Sequence, residues 1–136
     1  MTSYQVRPVA RVESSLTDRA AAPKQGDEGA PPCRVVFAPE FAPAAADLQP
    51  GDRLVLLTWL HEADRDVQAV HPRGDRDRPS TGVFSTRSPD RPNPIGLHTV
   101  TVTAVDGGTL TVTGLEAIDG TPVLDVKPVL GEVAER

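Results

Sequence analysis

Cysteine and long apolar runs are both scarce in this chain of 136 residues. Cys33 is its single cysteine, which excludes an internal disulfide framework and a zinc cluster built from cysteines, and suits a reducing, cytoplasmic compartment. The longest apolar stretch, residues 54–60, is far too short to span a bilayer. The N-terminal segment carries no apolar run of the kind found in signal peptides. We therefore expect a cytoplasmic protein that does not associate with membranes.

The sequence also lacks the common motifs of nucleotide binding and hydrolysis. Neither G-x-G-x-x-G nor G-x-x-x-x-G-K-S/T occurs, so neither familiar phosphate-binding loop is present. The G-x-S-x-G turn that carries a nucleophilic serine is absent as well. The pair His61-Glu62 begins like the zinc motif H-E-x-x-H, but its fifth position is Arg65. We therefore expect no metal site, and any nucleotide-type cofactor must be held in a less familiar way.

Charge is unevenly distributed along the chain. The formal net charge of -5 and the isoelectric point near 5.1 argue against a dedicated nucleic-acid-binding protein. Residues 65–91, however, hold six arginines and four aspartates, a local balance of +2, whereas the rest of the chain holds eight basic and fifteen acidic residues, a balance of -7. An anionic partner would therefore meet the middle of the chain. The alternative is a solvated loop of Arg–Asp pairs, which is the commoner origin of such a run.

Fourteen prolines and eleven glycines interrupt the sequence, and no long helical periodicity is present. Threonines alternate with apolar residues over 98–104 and 109–114, and Asp106-Gly107-Gly108 between them predicts a hairpin turn. Closely spaced strands with short turns indicate a mainly β, antiparallel barrel or sandwich in a single domain over residues 1–136. Closure into a barrel would pair the edge strands. The other predicted elements are a short helix within 39–48, loops at 15–32 and 64–80, and strands at 5–14, 34–37, 52–59 and 121–127.

The segment 85–97, STRSPDRPNPIGL, is the most unusual part of the sequence. Prolines on both sides of Asn93 fix its backbone, so its amide is presented in a preset turn. Arg87 and Arg91 offer planar forks that suit a carboxylate or phosphate, and Gly96 permits close backbone approach. The segment is therefore interpreted as a preorganised recognition turn. A rigid barrel corner with surface arginines is the alternative.

A second turn, residues 118–122, precedes the run VLDVKP. Asp125 and Lys127 are one strand period apart, so they share a face. Such a pair is either part of a site or an exposed ion pair, which is commoner.

Together these motifs identify a family. GVFSTRSPDRPNPIGLHTV, GLEAIDGTPVLDVKP, TWLHEADRDVQAVHPRG and PKQ resemble the TsaA-like domain of the TrmO-type family, S-adenosylmethionine-dependent tRNA methyltransferases. The resemblance covers the chain from about Pro23 to Pro128. It implies a small antiparallel β-barrel unlike a Rossmann sheet, and a homodimer that binds S-adenosylmethionine near the subunit interface. It also implies methylation of the N6 nitrogen of threonylcarbamoyl-adenosine at position 37 of tRNA, beside the anticodon.

The resemblance implies a cofactor site assembled from four segments. Leu97 and Ile118 are expected to pack on adenine, backbone groups of 119–121 to read its edge, and Arg87 or Lys24 to meet the methionine carboxylate. The cofactor residues implied are Pro23, Lys24, Gln25, His61, Glu62, Arg87, Leu97, Ile118, Asp119, Gly120 and Thr121.

The catalytic residues implied are Asp125, Lys127 and His61. Asp125 is the first candidate for the base that removes the proton of the acceptor nitrogen, and His61 is the second. Lys127 is expected to position the substrate together with Asp125. Arg73, Arg91 and Asn93 are expected to bind the substrate.

Larger members of the family carry a C-terminal domain that helps to hold tRNA, and this sequence ends eight residues after Pro128. Affinity for tRNA would then depend on dimerisation and on Arg65, Arg73, Arg76, Arg78 and Arg91. Two alternatives follow from the acidic isoelectric point and the short C-terminus. One is methylation of a small metabolite, and the other is a non-catalytic S-adenosylmethionine-binding barrel.

Overall fold

The computed structural model describes residues 2–17 and 31–131, with the side chain of Arg73 excepted. Within these residues eight strands occur together with one α-helical turn. The strands are β1 (Ala10–Glu13), β2 (Cys33–Phe37), β3 (Arg53–Trp59), β4 (Ala69–Val70), β5 (Thr81–Gly82), β6 (Ile95–Asp106), β7 (Thr109–Thr113) and β8 (Pro122–Pro128). The helical segments are α1 (Ala42–Ala45) and the 3-10 turns Pro39–Phe41, Pro72–Gly74 and Val83–Ser85.

Six of the strands form a closed antiparallel barrel in the order β1-β2-β7-β6-β3-β8. The barrel closes where β1 pairs with β8, with Ala10 opposite Val123 and Arg11 opposite Pro122. Closure gives each of these six strands a neighbour on both sides over at least part of its length. The predicted barrel is therefore confirmed and the sandwich is not observed.

The barrel interior is filled by one side of each strand. In β3 the buried residues are Leu54, Leu56 and Thr58, whereas Val55 and Leu57 are half-buried on the outer face. The strand predicted at 52–59 is confirmed, and its burial alternates between inner and outer faces. The core cluster comprises Ala10, Val12, Cys33, Val35, Phe37, Leu54, Leu56, Val100, Val102, Leu110, Val112, Leu115, Ala117 and Val123.

The predicted hairpin is β6 and β7, joined by Gly107 and Gly108. Gly107 has a φ of 60°, a conformation that glycine adopts without steric cost. A register shift between Val102 and Ala104 turns Ala104 outward and so ends the alternation predicted over 98–104 before its last residue.

Other boundaries differ modestly from the predictions. β1 begins at Ala10, and Val9 before it donates its N–H to Val123 O at 2.8 Å without belonging to the strand. The predicted helix is reduced to a 3-10 turn and α1, with Pro43 at its N-terminus. The predicted loop 64–80 contains β4, which pairs with β5 as a separate two-stranded sheet. Among the residues described, no helix has both the length and the apolar character to cross a membrane.

Candidate functional site

A pocket opens at the end of the barrel where β3 and β7 end and β6 and β8 begin. It exists because β6 has 12 residues and β7 only 5, and their pairing stops at Thr101 opposite Thr113. Gly114, with a φ of 87°, then turns the chain away from β6. Within the described part of the chain, residues 95–100 of β6 have no strand partner on that side. The pocket is lined by 60–63, 87–89, Arg91, 95–98, 116–118 and Thr121.

The backbone of Leu97 faces this gap. Val102 donates its N–H to Asp52 O at 2.9 Å and accepts from Gly51 N at 2.8 Å, so the even-numbered residues of β6 direct their backbone groups toward β3. Leu97 has the opposite parity, and its N–H and C=O therefore point into the pocket. A Cβ placed on Gly114 would lie 3.2 Å from the carbonyl oxygen of Thr99, which confirms this direction for the odd-numbered residues. An adjacent donor and acceptor of this kind match the edge of a heterocyclic base.

Arg91 holds the proline-rich turn together from within. Its Nε donates to Ser88 O at 2.8 Å, and its Nη2 donates to Val83 O and Thr86 O, both at 2.6 Å. The guanidinium is half-buried, and three backbone carbonyls occupy these donors. Arg91 therefore has a structural role in the turn; it also lines the pocket, and its predicted substrate contact stays a prediction.

Arg65 fixes the same turn to the end of β3. It donates from Nε to Pro92 O at 2.8 Å and from Nη2 to Asn93 Oδ1 at 3.1 Å, and its guanidinium lies 5.1 Å from the centre of the Trp59 ring. The amide oxygen of Asn93, predicted to contact substrate, is thus already bonded within the chain. These contacts make the turn rigid before any ligand binds.

Arg87 differs from both of these arginines. It is exposed at the mouth of the pocket, and no carboxylate among the described residues forms an ion pair with it. His61 and Glu62 are also exposed and line the same mouth. The structure thus brings these three predicted cofactor residues together with Leu97, Ile118 and Thr121.

The turn at 118–121 is bonded to the N-terminal segment. Asp119 N–H donates to Leu16 O at 2.6 Å and Gly120 N–H to Val12 O at 2.8 Å, while Thr121 N–H donates to Ile118 O at 3.2 Å. The N–H donors predicted to read adenine are therefore already bonded. Asp119 and Gly120 lie outside the pocket lining, so the structure gives them a role in holding the turn.

Asp125 and Lys127 form an exposed ion pair on the outer face of β8. Asp125 Oδ2 lies 3.1 Å from Lys127 Nζ, and the side chains are 50% and 62% exposed. Asp125 is opposite Leu57, which is opposite Leu97 in the next strand. Two strand spacings separate Asp125 from Leu97 by about 10 Å, so Asp125 lies beside the pocket and not in it.

The remaining predicted site residues cannot be placed against the pocket. Pro23, Lys24 and Gln25 lie outside the described residues, as does the side chain of Arg73. Over residues 2–17 and 31–131, no group of three or more His, Cys, Asp or Glu side chains is arranged to hold a metal ion.

Sequence reasoning missed a buried polar chain that ends at the pocket. Thr58 Oγ1 lies 2.7 Å from His98 Nε2, and His98 Nδ1 lies 2.6 Å from Glu116 Oε1. Thr58 and His98 are buried, and the Glu116 end of the chain, together with His98, lines the pocket. One signal was present, because His98 falls on the inward side of the β6 alternation, where a polar side chain needs partners. Its partners come from β3 and from the segment after β7, and sequence alone did not bring these together.

Cys33 is close to the same cluster. Burial raises the pKa of its thiol to about 11, and the negative charge of Glu116 adds to the effect. The thiol is therefore protonated at neutral pH and is a core side chain without nucleophilic character.

Residues 11–134 match the family described as the tRNA-methyltransferase O N-terminal domain. A probable S-adenosyl-L-methionine-binding protein of Methanothermobacter thermautotrophicus is 43% identical over 124 residues, which cover 91% of this chain and 88% of that protein. The probable S-adenosyl-L-methionine-binding protein VirR of Rhizobium radiobacter is 39% identical over 120 residues, covering 88% of this chain and 67% of VirR.

The fold is similar to a solved structure as well. The crystal structure of TrmO from Pseudomonas aeruginosa superimposes with a TM-score of 0.74 and 28% sequence identity. The match covers 95% of this chain and 57% of that one, so the present chain spans little more than half of that solved protein.

Proposed function

Because the chain belongs to the tRNA-methyltransferase O N-terminal domain family, we propose that it is an S-adenosylmethionine-dependent methyltransferase. We further propose that its acceptor is the N6 nitrogen of threonylcarbamoyl-adenosine at position 37 of tRNA. One observation carries the proposal: one pocket combines the backbone edge of Leu97 with the cation of Arg87, which has no ion-pair partner among the described residues. These two features complement the opposite ends of S-adenosylmethionine, a purine base and an amino-acid carboxylate.

The residues of the pocket fit this cofactor. The N–H of Leu97 would donate to an adenine ring nitrogen, and its C=O would accept from the exocyclic amino group. The side chains of Ile95, Leu97 and Ile118 offer apolar surface to the base. Arg87 provides two parallel N–H donors for the methionine carboxylate. When bound, the cofactor supplies an activated methyl group on a sulfonium, so the protein's task is alignment and exclusion of water.

In this proposal the bound cofactor would give its methyl group to the acceptor nitrogen and leave as the neutral thioether, and the proton released from that nitrogen would have to be taken by a residue of this chain or by water. His61 is the first candidate to take that proton because it lines the pocket. Asp125 becomes the second, because it is about 10 Å from Leu97 on the outer face. The Asp125–Lys127 pair is better placed to hold the acceptor as it extends from the pocket.

The outer face of β3 and β6 supports the expected homodimer. Ile95 and Leu97 are each 47% exposed, and Leu57 and Val55 continue the apolar strip across β3. A strip that begins at the pocket is suited to an interface that also covers the cofactor. Dimerisation through it would place the two sites on one surface for tRNA, to which the exposed Arg76 and Arg78 are available in each protomer.

The test is transfer of a radiolabelled methyl group from S-adenosylmethionine to purified tRNA. Two otherwise identical tRNAs, one with and one without the threonylcarbamoyl group, are compared, and a metabolite extract is assayed in parallel. Label on the threonylcarbamoylated tRNA alone, lost in Arg87→Ala, supports the proposal. Label on metabolites alone would show that the methyl acceptor is a small molecule and not tRNA. Tight cofactor binding without any methyl transfer would show that the protein is a non-catalytic S-adenosylmethionine-binding barrel.

A further inference from the structure

The hydrogen-bonded chain Thr58–His98–Glu116 fixes the position of one carboxylate oxygen of Glu116. A carboxylate only accepts hydrogen bonds, so the proton at the 2.6 Å contact belongs to His98 Nδ1. His98 Nε2 is in turn 2.7 Å from the hydroxyl of Thr58, which is fully buried. Both ring nitrogens are therefore bonded, and the imidazole cannot rotate without losing both contacts. Glu116 Oε1 is consequently held in one place.

The second oxygen of Glu116 is available to a ligand. The carboxylate is 14% exposed and its residue lines the pocket. No contact within the described residues occupies Oε2, and no buried polar side-chain atom in that part of the chain lacks a partner, so this oxygen opens into the pocket. Glu116 thus presents a hydrogen-bond acceptor of fixed position at the deep end of the pocket. Arg87, of opposite charge, is exposed at the mouth of the pocket.

The order Glu–His–Thr resembles the relay of a hydrolase in composition but not in direction. In such a relay the hydroxyl would face the substrate, whereas Thr58 is fully buried and is not part of the pocket lining. The end that reaches the pocket is the carboxylate. The chain therefore serves binding and not nucleophilic attack.

We propose that Glu116 binds the ribose hydroxyls of the cofactor through its free oxygen, with His98 and Thr58 as positioning residues. The inference rests on the proposed function, because it assigns a subsite within the same pocket. The reactive sulfonium must lie toward the open side, where an acceptor can reach it, and the amino-acid end is directed to Arg87. The deep carboxylate is then left for the nucleoside, whose vicinal hydroxyls are two donors for one acceptor group.

The experiment measures dissociation constants by calorimetry for S-adenosylmethionine, S-adenosylhomocysteine and the 2′-deoxy and 3′-deoxy forms of the latter. The proteins are the wild type, Glu116→Gln and Thr58→Val. Glu116→Gln keeps an oxygen that can accept from His98, so it preserves the buried chain. We expect it to weaken both intact ligands equally, by about 10- to 100-fold, as for a lost charge-assisted hydrogen bond. Against at least one deoxy ligand the loss should shrink to less than about threefold, because the partner hydroxyl is already gone.

Thr58→Val leaves Glu116 untouched and removes only the far end of the support. We expect a few-fold weakening of the intact ligands that also shrinks with the same deoxy ligand. A purely structural role would weaken all ligands alike and would overturn the inference, as would a Glu116→Gln loss that is unchanged by either deoxy form. A loss for S-adenosylmethionine but not S-adenosylhomocysteine would place the carboxylate at the sulfonium and also overturn it. Failure of the wild type to bind either intact ligand would instead refute the proposed function itself, and the ribose subsite with it.

Discussion

Gly96 leaves the space that His98 occupies: a Cβ built at position 96 would lie 2.6 Å from His98 Nε2 and closer still to Thr58 Oγ1. The backbone of Gly96 is unremarkable in φ, so its small size and not its flexibility is what the site requires. The sequence predicted a close backbone approach at this glycine. The structure identifies the approaching groups as the buried hydroxyl and imidazole.

We expect Gly96→Ala to lower the free energy of unfolding by roughly 2–4 kcal/mol, through overpacking and the loss of the hydrogen bond between Thr58 and His98. Urea denaturation measures this. Gly82→Ala is the matched control, because nothing lies within 4 Å of a Cβ at that position and its φ is not in the left-handed region. A neutral Gly96→Ala would show that the barrel can move the imidazole aside.

Arg87 and Arg91 should separate binding from stability. Arg91→Ala frees three backbone carbonyls in the turn, so we expect a loss of roughly 2–4 kcal/mol in unfolding free energy. Arg87→Ala should leave stability within about 0.5 kcal/mol, because the side chain is exposed, and should weaken S-adenosylmethionine at least tenfold. Thermal denaturation with calorimetry on both variants measures the contrast. The reverse pattern would exchange the two roles.

His61 and Asp125 should differ in their effect on turnover. We expect His61→Ala to reduce kcat by about 100-fold or more if it takes the proton, and Asp125→Asn to reduce it by less than about tenfold. Asp125→Asn should not change the affinity for S-adenosylmethionine, because Asp125 lies outside the pocket. Single-turnover methyl transfer with saturating cofactor compares the two. A larger loss in Asp125→Asn would restore that carboxylate as the base.

Cys33 should make stability sensitive to alkaline pH. Its pKa is raised in the folded state to about 11 from an ordinary value of 9.0, so the neutral thiol is favoured by folding. The stabilisation is fully present below pH 9 and is lost as the pH rises from 9 to 11, with a limiting change of roughly 2 kcal/mol. Urea denaturation at pH 8 and pH 11, with Cys33→Ala as control, isolates this contribution. An equal pH effect in both proteins would assign it to other groups.

Much of the barrel follows from the sequence because strand alternation and turn residues are local signals. Val100 and Val102 alternate with threonines, and the glycines at 107 and 108 mark the hairpin. The bulge that turns Ala104 outward has no such signal, since it results from the pairing of two strands.

The site was predictable only in part, for the same reason. From the sequence, nothing distinguishes Arg65 and Arg91 from Arg87. In the fold, Arg65 donates to a backbone carbonyl and stacks on Trp59, and Arg91 donates to backbone carbonyls, so both hold the turn in place. The interaction of Glu116 with His98 spans 18 residues of sequence. Hydrogen-bond partners of this kind meet only once the barrel is closed. Sequence patterns predict the barrel but not which distant side chains come into contact in it.

Under the proposed function, the early end of β7 would make the ligand part of the sheet. Where β7 stops pairing, the backbone groups of Leu97 have no neighbouring strand among the described residues, so a planar base bonded to them, as proposed, would supply the missing hydrogen-bond partners. Occupancy of the pocket should thus be felt along β6 as slower amide exchange, and the empty barrel should open first at that point.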